Sequence, residues 1–197
     1  MRVIKYGHAC VRLDQLVIDP GTFSEAAALD GAQAVLVTHE HADHVDVDKL
    51  ASFEGPIFAP ASVAPMLEGK VTTVEVGQTF TAAGFTVEVV GGQHAEIIDG
   101  LPGCANVGYI VEGEVYHPGD SVFVPASRVG TLLVPASGPW LKLREALEFV
   151  RAVKPARAFP IHDAMFSELG NGNFDRWMEM KGNTDYARIP VGESATI

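Results

Sequence analysis

The chain has 197 residues, with 14 Lys or Arg against 25 Asp or Glu, so its formal net charge at pH 7 is −11. Hydrophobic residues make up 47% and charged residues 20% of the chain, a usage that excludes the apolar-poor composition of disordered proteins. No apolar run reaches the roughly 20 residues of a bilayer-spanning helix, so we do not expect an integral membrane protein.

The start of the chain and its cysteines predict where the protein works. The first residues contain neither the apolar segment nor the small-residue cleavage site of a secretory signal. Cys10 and Cys104 are too few for a disulfide framework and are expected to be buried thiols. We therefore expect a cytoplasmic protein. The lack of a basic stripe disfavours nucleic acid as a partner and favours a small-molecule substrate, while assembly of several copies stays open.

The first third of the chain is predicted to begin with an antiparallel meander. Three strand-like runs, separated by little more than turns, cover residues 2–6, 9–13 and 15–19. Residues 34–38 form a compact apolar run that is typical of a strand buried on both faces. Short helices are predicted at 24–29, 47–53 and 61–67.

The remainder of the chain alternates strands with two longer helices. Strands are predicted at 71–76, 85–90, 107–111, 115–116, 131–134 and 156–161. Residues 140–153 carry an apolar stripe at helical spacing, and a second helix is predicted at 174–181. Runs of strands interrupted by helices favour an α+β sandwich of two sheets with helices outside. Without a linker or repeat, the sequence predicts a single domain over residues 1–197.

One segment carries most of the chemical information: His39-Glu40-His41-Ala42-Asp43-His44, directly after the buried run at 34–38. Residues two apart in an extended segment point the same way, so His39 and His41 can offer imidazoles to one ion. The next turn directs Asp43 and His44 toward a second position. Imidazole and carboxylate together suit zinc, and also iron or manganese, better than calcium or magnesium.

Three further residues are expected to complete such a site. His94, Asp120 and His162 each come at or shortly after the end of a predicted strand. Loops that a rigid sheet positions are where functional groups concentrate. Each of these residues alone is more often structural or solvated than a ligand, so their joint order carries the prediction.

This order resembles the metallo-β-lactamase-fold hydrolase superfamily over nearly the whole chain. The resemblance rests on Asp19 in Asp-Pro-Gly, the His39-to-His44 motif, His94, Asp120 in Pro-Gly-Asp-Ser, and His162. Gly7-His8-Ala9 and the compact length are similar to the small bacterial hydrolases related to the ascorbate-phosphate lactonase type. The resemblance implies a four-layer αββα sandwich that holds two metal ions at the rim of its sheets.

The resemblance also implies a role for each residue. His39, His41 and His94 would hold the first ion. Asp43, His44 and His162 would hold the second, and Asp120 would bridge both. Asp19 would steady the histidine loop from outside the ligand set. His8 is expected either to do the same, to face the substrate, or to be a structural histidine.

The implied reaction is hydrolysis by a hydroxide that bridges two divalent ions, with Zn²⁺ expected and Mn²⁺ or Fe as alternatives. Asp43 and Asp120 would be the catalytic residues, and the substrate a small ester, lactone, thioester or phosphodiester. Three alternatives stay open: a nuclease of the same superfamily, a metal-binding or sensor protein, and a redox di-iron enzyme. His117 and Asp163, which flank ligands, are expected to be structural, and Trp140, Trp177, Met178 and Met180 to be packing residues.

Overall fold

A computed structural model describes residues 1–197, which form two seven-stranded sheets. The first sheet contains β1 (Arg2–Gly7), β2 (Cys10–Leu13), β3 (Leu16–Ile18), β4 (Ala34–Leu36), β5 (Ile57–Ala59), β6 (Val71–Thr73) and β14 (Ser194–Thr196). The second contains β7 (Thr79–Ala82), β8 (Phe85–Gly91), β9 (Val107–Val111), β10 (Val115–His117), β11 (Thr131–Pro135), β12 (Arg157–Ile161) and β13 (Asp185–Tyr186). None of the helices is both long enough and apolar enough to cross a lipid bilayer.

Each sheet combines antiparallel and parallel pairing. In the first sheet the order is β14-β1-β2-β3-β4-β5-β6, with β14 to β3 antiparallel and β3 to β6 parallel. In the second the order is β13-β12-β11-β10-β9-β8-β7, antiparallel from β7 to β10 and parallel from β10 to β13. The predicted N-terminal meander is confirmed as β1, β2 and β3.

Helices cover the outer face of both sheets. They are α1 (Val47–Ala51), α2 (Leu143–Val153), α3 (Glu168–Lys181) and two 3-10 helices (Ala26–Leu29 and Ala64–Leu67). Alternate residues of a strand face opposite sides, so Leu36 of β4 lies in the core between the sheets while Val35 packs with Leu50 of α1. On the second sheet, Phe149 of α2 and Phe174 of α3 belong to one outer cluster. The predicted α+β fold, a four-layer αββα sandwich, is confirmed.

Several elements differ from the prediction. α1 ends at Ala51 and not at 53, β6 ends at Thr73 and not at 76, α2 begins at Leu143 and not at 140, and β13 was not predicted. β7 was not predicted; it lies at the edge of its sheet and pairs only with β8. α3 begins at Glu168, six residues earlier than the pattern indicates. Its first turns contain Gly and Asn, which are poor helix formers, but the side chain of Ser167 caps them by accepting a hydrogen bond from Gly170 N.

Candidate metal centre

All seven predicted ligands converge at one edge of the sandwich. The loop between β4 and α1 contributes His39, His41, Asp43 and His44 from the first sheet, and the ends of β8, β10 and β12 contribute His94, Asp120 and His162 from the second. Their donor atoms form two groups, each within 4.8 Å: His39, His41, His94 and Asp120 in one, and His8, Asp43, His44 and His162 in the other. The structure thus brings every predicted ligand together and adds His8.

Asp120 lies between the two groups. Its Oδ1 is 3.0 Å from His44 Nε2, and its Oδ2 is 3.3 Å from His94 Nε2 and 3.2 Å from His162 Nε2. One carboxylate therefore reaches imidazoles of both groups, which is the geometry that a bridging ligand requires.

Several buried atoms at this edge make no hydrogen bond of acceptable geometry, although His44 Nε2 lies only 3.0 Å from Asp120 Oδ1. They are His44 Nε2, His94 Nε2, Asp120 Oδ1 and both ring nitrogens of His162. Leaving a buried polar group unpaired costs about 1–3 kcal/mol, so folded proteins rarely tolerate several in one place. The nitrogens and oxygens here are the donor types that zinc, manganese and iron prefer, and the residues therefore fit a pair of divalent ions.

Hydrogen bonds at the far side of the rings fix which nitrogen is free. His94 Nδ1 lies 2.6 Å from the carbonyl oxygen of Ala95, and His44 Nδ1 lies 2.7 Å from Asp19 Oδ2. Both oxygens can only accept, so each Nδ1 carries the proton and each Nε2 keeps its lone pair. Partners of this kind orient imidazole ligands in metal sites.

Thr38 and the buried Asp19 fix His39 in the same way. Asp19 Oδ1 accepts from Thr38 N at 2.8 Å, and Asp19 Oδ2 accepts from Thr38 Oγ1 at 2.8 Å. Because the Thr38 hydroxyl donates to the carboxylate, its oxygen accepts from His39 Nδ1, 3.0 Å away. Asp19 thus braces two candidate ligands, His39 through Thr38 and His44 directly.

His41 is turned the other way round. Its Nδ1 lies 3.0 Å from His39 Nε2, and its Nε2 lies 3.8 Å from Sγ of Cys104. His41 therefore presents Nδ1 to the first group and Nε2 to the thiol. Cys10 is buried as predicted, but Cys104 is only half-buried, so its predicted burial is wrong in degree, and both cysteines are free thiols.

His8 is a donor to Asp43. Its Nδ1 accepts a hydrogen bond from the backbone N–H of Ala164 at 3.2 Å, which leaves the ring proton on Nε2. That Nε2 lies 3.1 Å from Asp43 Oδ2. Backbone contact adds to this, since His162 N donates to His8 O at 3.0 Å. Although His8 belongs to the second donor group, its tautomer favours orienting Asp43 over binding an ion.

Sequence reasoning missed two residues that hold Asp120. Trp140 Nε1 donates to Asp120 Oδ2 at 3.2 Å, and Asn106 Oδ1 accepts from Asp120 N at 2.9 Å. Gly119 has φ +62°, and a Cβ there would lie 2.3 Å from Asn106 Oδ1, so this turn requires glycine. Trp140 follows the end of β11, the same strand-end signal that pointed to His94.

Trp177 and Met180 are exposed, contrary to their predicted packing, while Met178 is buried.

His117 and Asp163 have structural partners. His117 Nδ1 accepts from Gly119 N at 3.1 Å and its Nε2 donates to Ala9 O at 2.9 Å, so neither nitrogen is free. Asp163 is paired with Lys5 at 3.0 Å and with Arg188. Both residues hold neighbouring segments of the site in place.

The charges at this edge call for cations. No Lys or Arg nitrogen lies within 4.0 Å of Asp43 or Asp120, whose ion-pair partners are all histidines. Burial works to raise the pKa of both carboxyls, yet the neighbouring imidazoles hold each pKa below its ordinary value. The same carboxylates raise the pKa of His162 to about 9 against the effect of burial. The two ionised carboxylates thus stabilise a neighbouring positive charge, here the protonated imidazole of His162.

Comparison with known proteins assigns the chain to a family. A sequence profile described as "Beta-lactamase superfamily domain" matches residues 2–162. The chain belongs to this superfamily. Protein Rv0786c of Mycobacterium tuberculosis is 35% identical over 100% of both chains. A UPF0173 metal-dependent hydrolase of Methanocaldococcus jannaschii is 27% identical, and the match covers 80% of this chain and 82% of that protein.

A solved structure agrees with this assignment. Igni18, described as a novel metallo hydrolase from Ignicoccus hospitalis, superposes with a TM-score of 0.77 at 20% identity, covering 100% of this chain and 97% of that chain. At this identity the likeness concerns the fold. The predictions of the β-lactamase superfamily and of an enzyme of its metal-dependent hydrolase class are therefore confirmed.

Proposed function

We propose that the chain is a dinuclear metal-dependent hydrolase of a small molecule, with His39, His41 and His94 around one ion and Asp43, His44 and His162 around the other. Asp120 would contribute to both. The observation that carries the proposal is the set of unpartnered buried donor atoms on His44, His94, His162 and Asp120. Zn²⁺ suits this donor set, and Mn²⁺ or Fe are the alternatives.

Paired divalent cations lower the pKa of a shared water toward 7 and polarise the oxygen of a carbonyl or phosphoryl group. The residues of the chain supply the positioning. Asp43 is the most exposed carboxylate of the site, with 24% of its side chain accessible, and His8 fixes one of its oxygens. Asp43 is therefore placed to orient an attacking water. Trp140 and Asn106 keep Asp120 between the two groups.

The experiment begins with metal analysis of protein purified without added metal. Samples reloaded with Zn²⁺, Mn²⁺ or Fe²⁺ would then be assayed on esters, a lactone, a thioester and bis-p-nitrophenyl phosphate. Two ions per chain and hydrolysis that disappears with chelator support the proposal. Activity on the phosphodiester alone would favour a nuclease, and two bound ions without any hydrolysis would favour a metal-binding or sensor protein.

A matched pair of variants tests the ligand assignment. Asp120→Asn should lose metal and activity together, because the amide cannot bridge two cations as a carboxylate does. Asp48→Asn makes the same change at an exposed position of α1 and should leave both unchanged. Full metal occupancy and unchanged turnover in Asp120→Asn would reject the bridging role.

A further inference from the structure

A cavity adjoins the second donor group. It has a volume of about 340 Å³ and is lined by ten residues, five of them apolar, including Tyr6, Phe23, Phe166 and Val191. His8 forms the wall that the cavity shares with the donor group, and the ring centroid of Phe23 lies 5.4 Å from that of His8 in an edge-on arrangement. The volume falls in the range of small-ligand pockets, about 300–1,000 Å³.

The apolar walls of this cavity are open to solvent. Phe23 is 59% exposed and Phe166 is 37% exposed. Exposed aromatic rings are costly in water, and they gain free energy when an apolar group covers them. Phe23 stands one imidazole away from Asp43, because its ring packs against His8 and His8 Nε2 is 3.1 Å from that carboxylate. Phe166 lines the same cavity. The cavity is therefore within reach of the apolar part of a substrate held at Asp43.

The charged groups of the cavity exclude an anionic occupant. Its ionisable walls are Tyr6, His8 and the carboxylates of Glu25 and Asp163, and no Lys or Arg lines it. Lys5 and Arg188 are paired with two carboxylates, Lys5 with Asp163 and Arg188 with both Asp163 and Asp175, so their charges are balanced. Phosphate and carboxylate groups are normally recognised by Arg, Lys or backbone N–H groups, and none of these cations faces this cavity. Asn171 adds an amide whose Oδ1 has no partner.

We propose that this cavity binds an uncharged apolar substituent of the substrate, and that this substituent is the acyl chain of a carboxylic ester or the ring of a lactone. This inference rests on the proposed function. In the reaction the oxygen of water forms a new bond to the carbonyl carbon, the ester C–O bond breaks, and the alcohol leaves with a proton. At about 30 Å³ per water-sized group, the cavity has room for about ten non-hydrogen atoms.

The test uses p-nitrophenyl acetate, butyrate, hexanoate and decanoate with metal-loaded protein. Each methylene that enters the cavity should raise kcat/KM by about fourfold, until the chain outgrows the cavity and the gain stops. Phe166→Ala and Phe23→Ala should each lower the hexanoate-to-acetate ratio by about tenfold. Phe123→Ala is the matched control, since Phe123 is also an exposed phenylalanine, 44% accessible, but does not line the cavity.

A binding measurement separates this inference from the proposed function. Pentanamide, an uncharged probe with an apolar chain, should shift the NMR signals of Phe23 and Phe166 in metal-loaded protein, and the Phe166→Ala variant should bind it at least threefold more weakly. Shifts without hydrolysis of any ester, lactone, thioester or phosphodiester would overturn the proposed function and keep the cavity assignment. The cavity assignment would be overturned if Phe166→Ala and Phe23→Ala had the same hexanoate-to-acetate ratio as the control Phe123→Ala. A preference for bis-p-nitrophenyl phosphate, or no NMR shift with pentanamide, would overturn it too.

Discussion

Nε2 of His8 lies 3.1 Å from Oδ2 of Asp43, with the ring proton between them because Nδ1 already accepts from Ala164 N. His8→Ala should therefore leave two ions per chain but weaken the binding of one by about 10–100-fold, the usual cost of losing such an outer partner. His8→Gln, which keeps an N–H donor, should recover part of this loss. The measurement is chelator competition together with the visible spectrum of the Co²⁺-substituted protein. A variant that binds a single ion with altered coordination would identify His8 as a ligand.

Thr38 should matter more than its size indicates. Thr38→Val keeps the shape but removes the hydroxyl between Asp19 and His39. His39 Nδ1 is then left without a partner, and Asp19 Oδ2 keeps only its contact with His44. We expect a loss of about 1–3 kcal/mol in the free energy of unfolding of metal-free protein, measured in urea. Thr38→Ser should recover most of it. Thr86→Val, at an exposed position of β8, is the control and should change the free energy of unfolding by less than about 0.5 kcal/mol.

The two cysteines should differ in reactivity. Cys104 is half-buried beside His41, whereas Cys10 is buried, and burial raises the pKa of its thiol to about 12. A disulfide reagent applied to native protein at pH 8 should modify one thiol per chain, and none in Cys104→Ser. The modified protein should bind metal at least tenfold more weakly, because the thiol no longer accepts from His41. Labelling of both thiols, or unchanged metal affinity, would contradict this.

Metal removal should destabilise the fold. An ion that binds the folded chain only adds about 2.7 kcal/mol of stability at 100 times its dissociation constant. Dialysis against chelator should therefore lower the melting temperature, and adding back Zn²⁺ should restore it. The Asp120→Asn variant should show a smaller shift on the same treatment. An unchanged melting temperature in wild-type protein would mean that the donor groups do not bind metal tightly.

Alkaline pH should destabilise the metal-free protein through Tyr116. Burial raises the pKa of this phenol above its ordinary value of 10.0, and its hydroxyl donates to Phe123 O at 2.9 Å. The folded chain therefore holds the proton more tightly than the unfolded chain. This contribution to stability is complete below pH 10 and falls as the pH rises above 10. Wild-type protein should thus keep its advantage over Tyr116→Phe below pH 10 and lose it progressively as the pH rises above 10 in urea titrations. A constant difference would show that the phenol ionises equally in both states.

The sequence predicts well which side chains converge at this edge, because their positions follow from short motifs. The sequence alone shows the spacing from His39 to His44. It also shows that His94, Asp120 and His162 follow predicted strands. Trp140 and Asn106 escape prediction because an indole or amide that bonds to Asp120 looks like any packing or loop residue until the chain folds. Cys104 escapes for the same reason, since its contact with His41 joins residues 63 positions apart.

The fold is predicted best where patterns are strong. β4 and α2 follow from an apolar run and a helical stripe. β7 has no such pattern, because it is a strand only by virtue of its pairing with β8. The first turns of α3 depend on the Ser167 cap, which outweighs their poor helix propensity. The orientation of His8 depends on Ala164, which lies 156 residues away, so no local pattern could supply it.

The four residues of the His39-to-His44 loop come from one sheet, while His94, Asp120 and His162 come from the other. Cations held by both sets would cross-link the two layers at the edge where water enters. The distance between the two halves of each donor group is governed by how closely the layers approach, and hence by residues of the central core such as Leu36 and Leu133. Enlarging or shrinking that core offers a way to retune the reaction without altering any residue that meets the substrate.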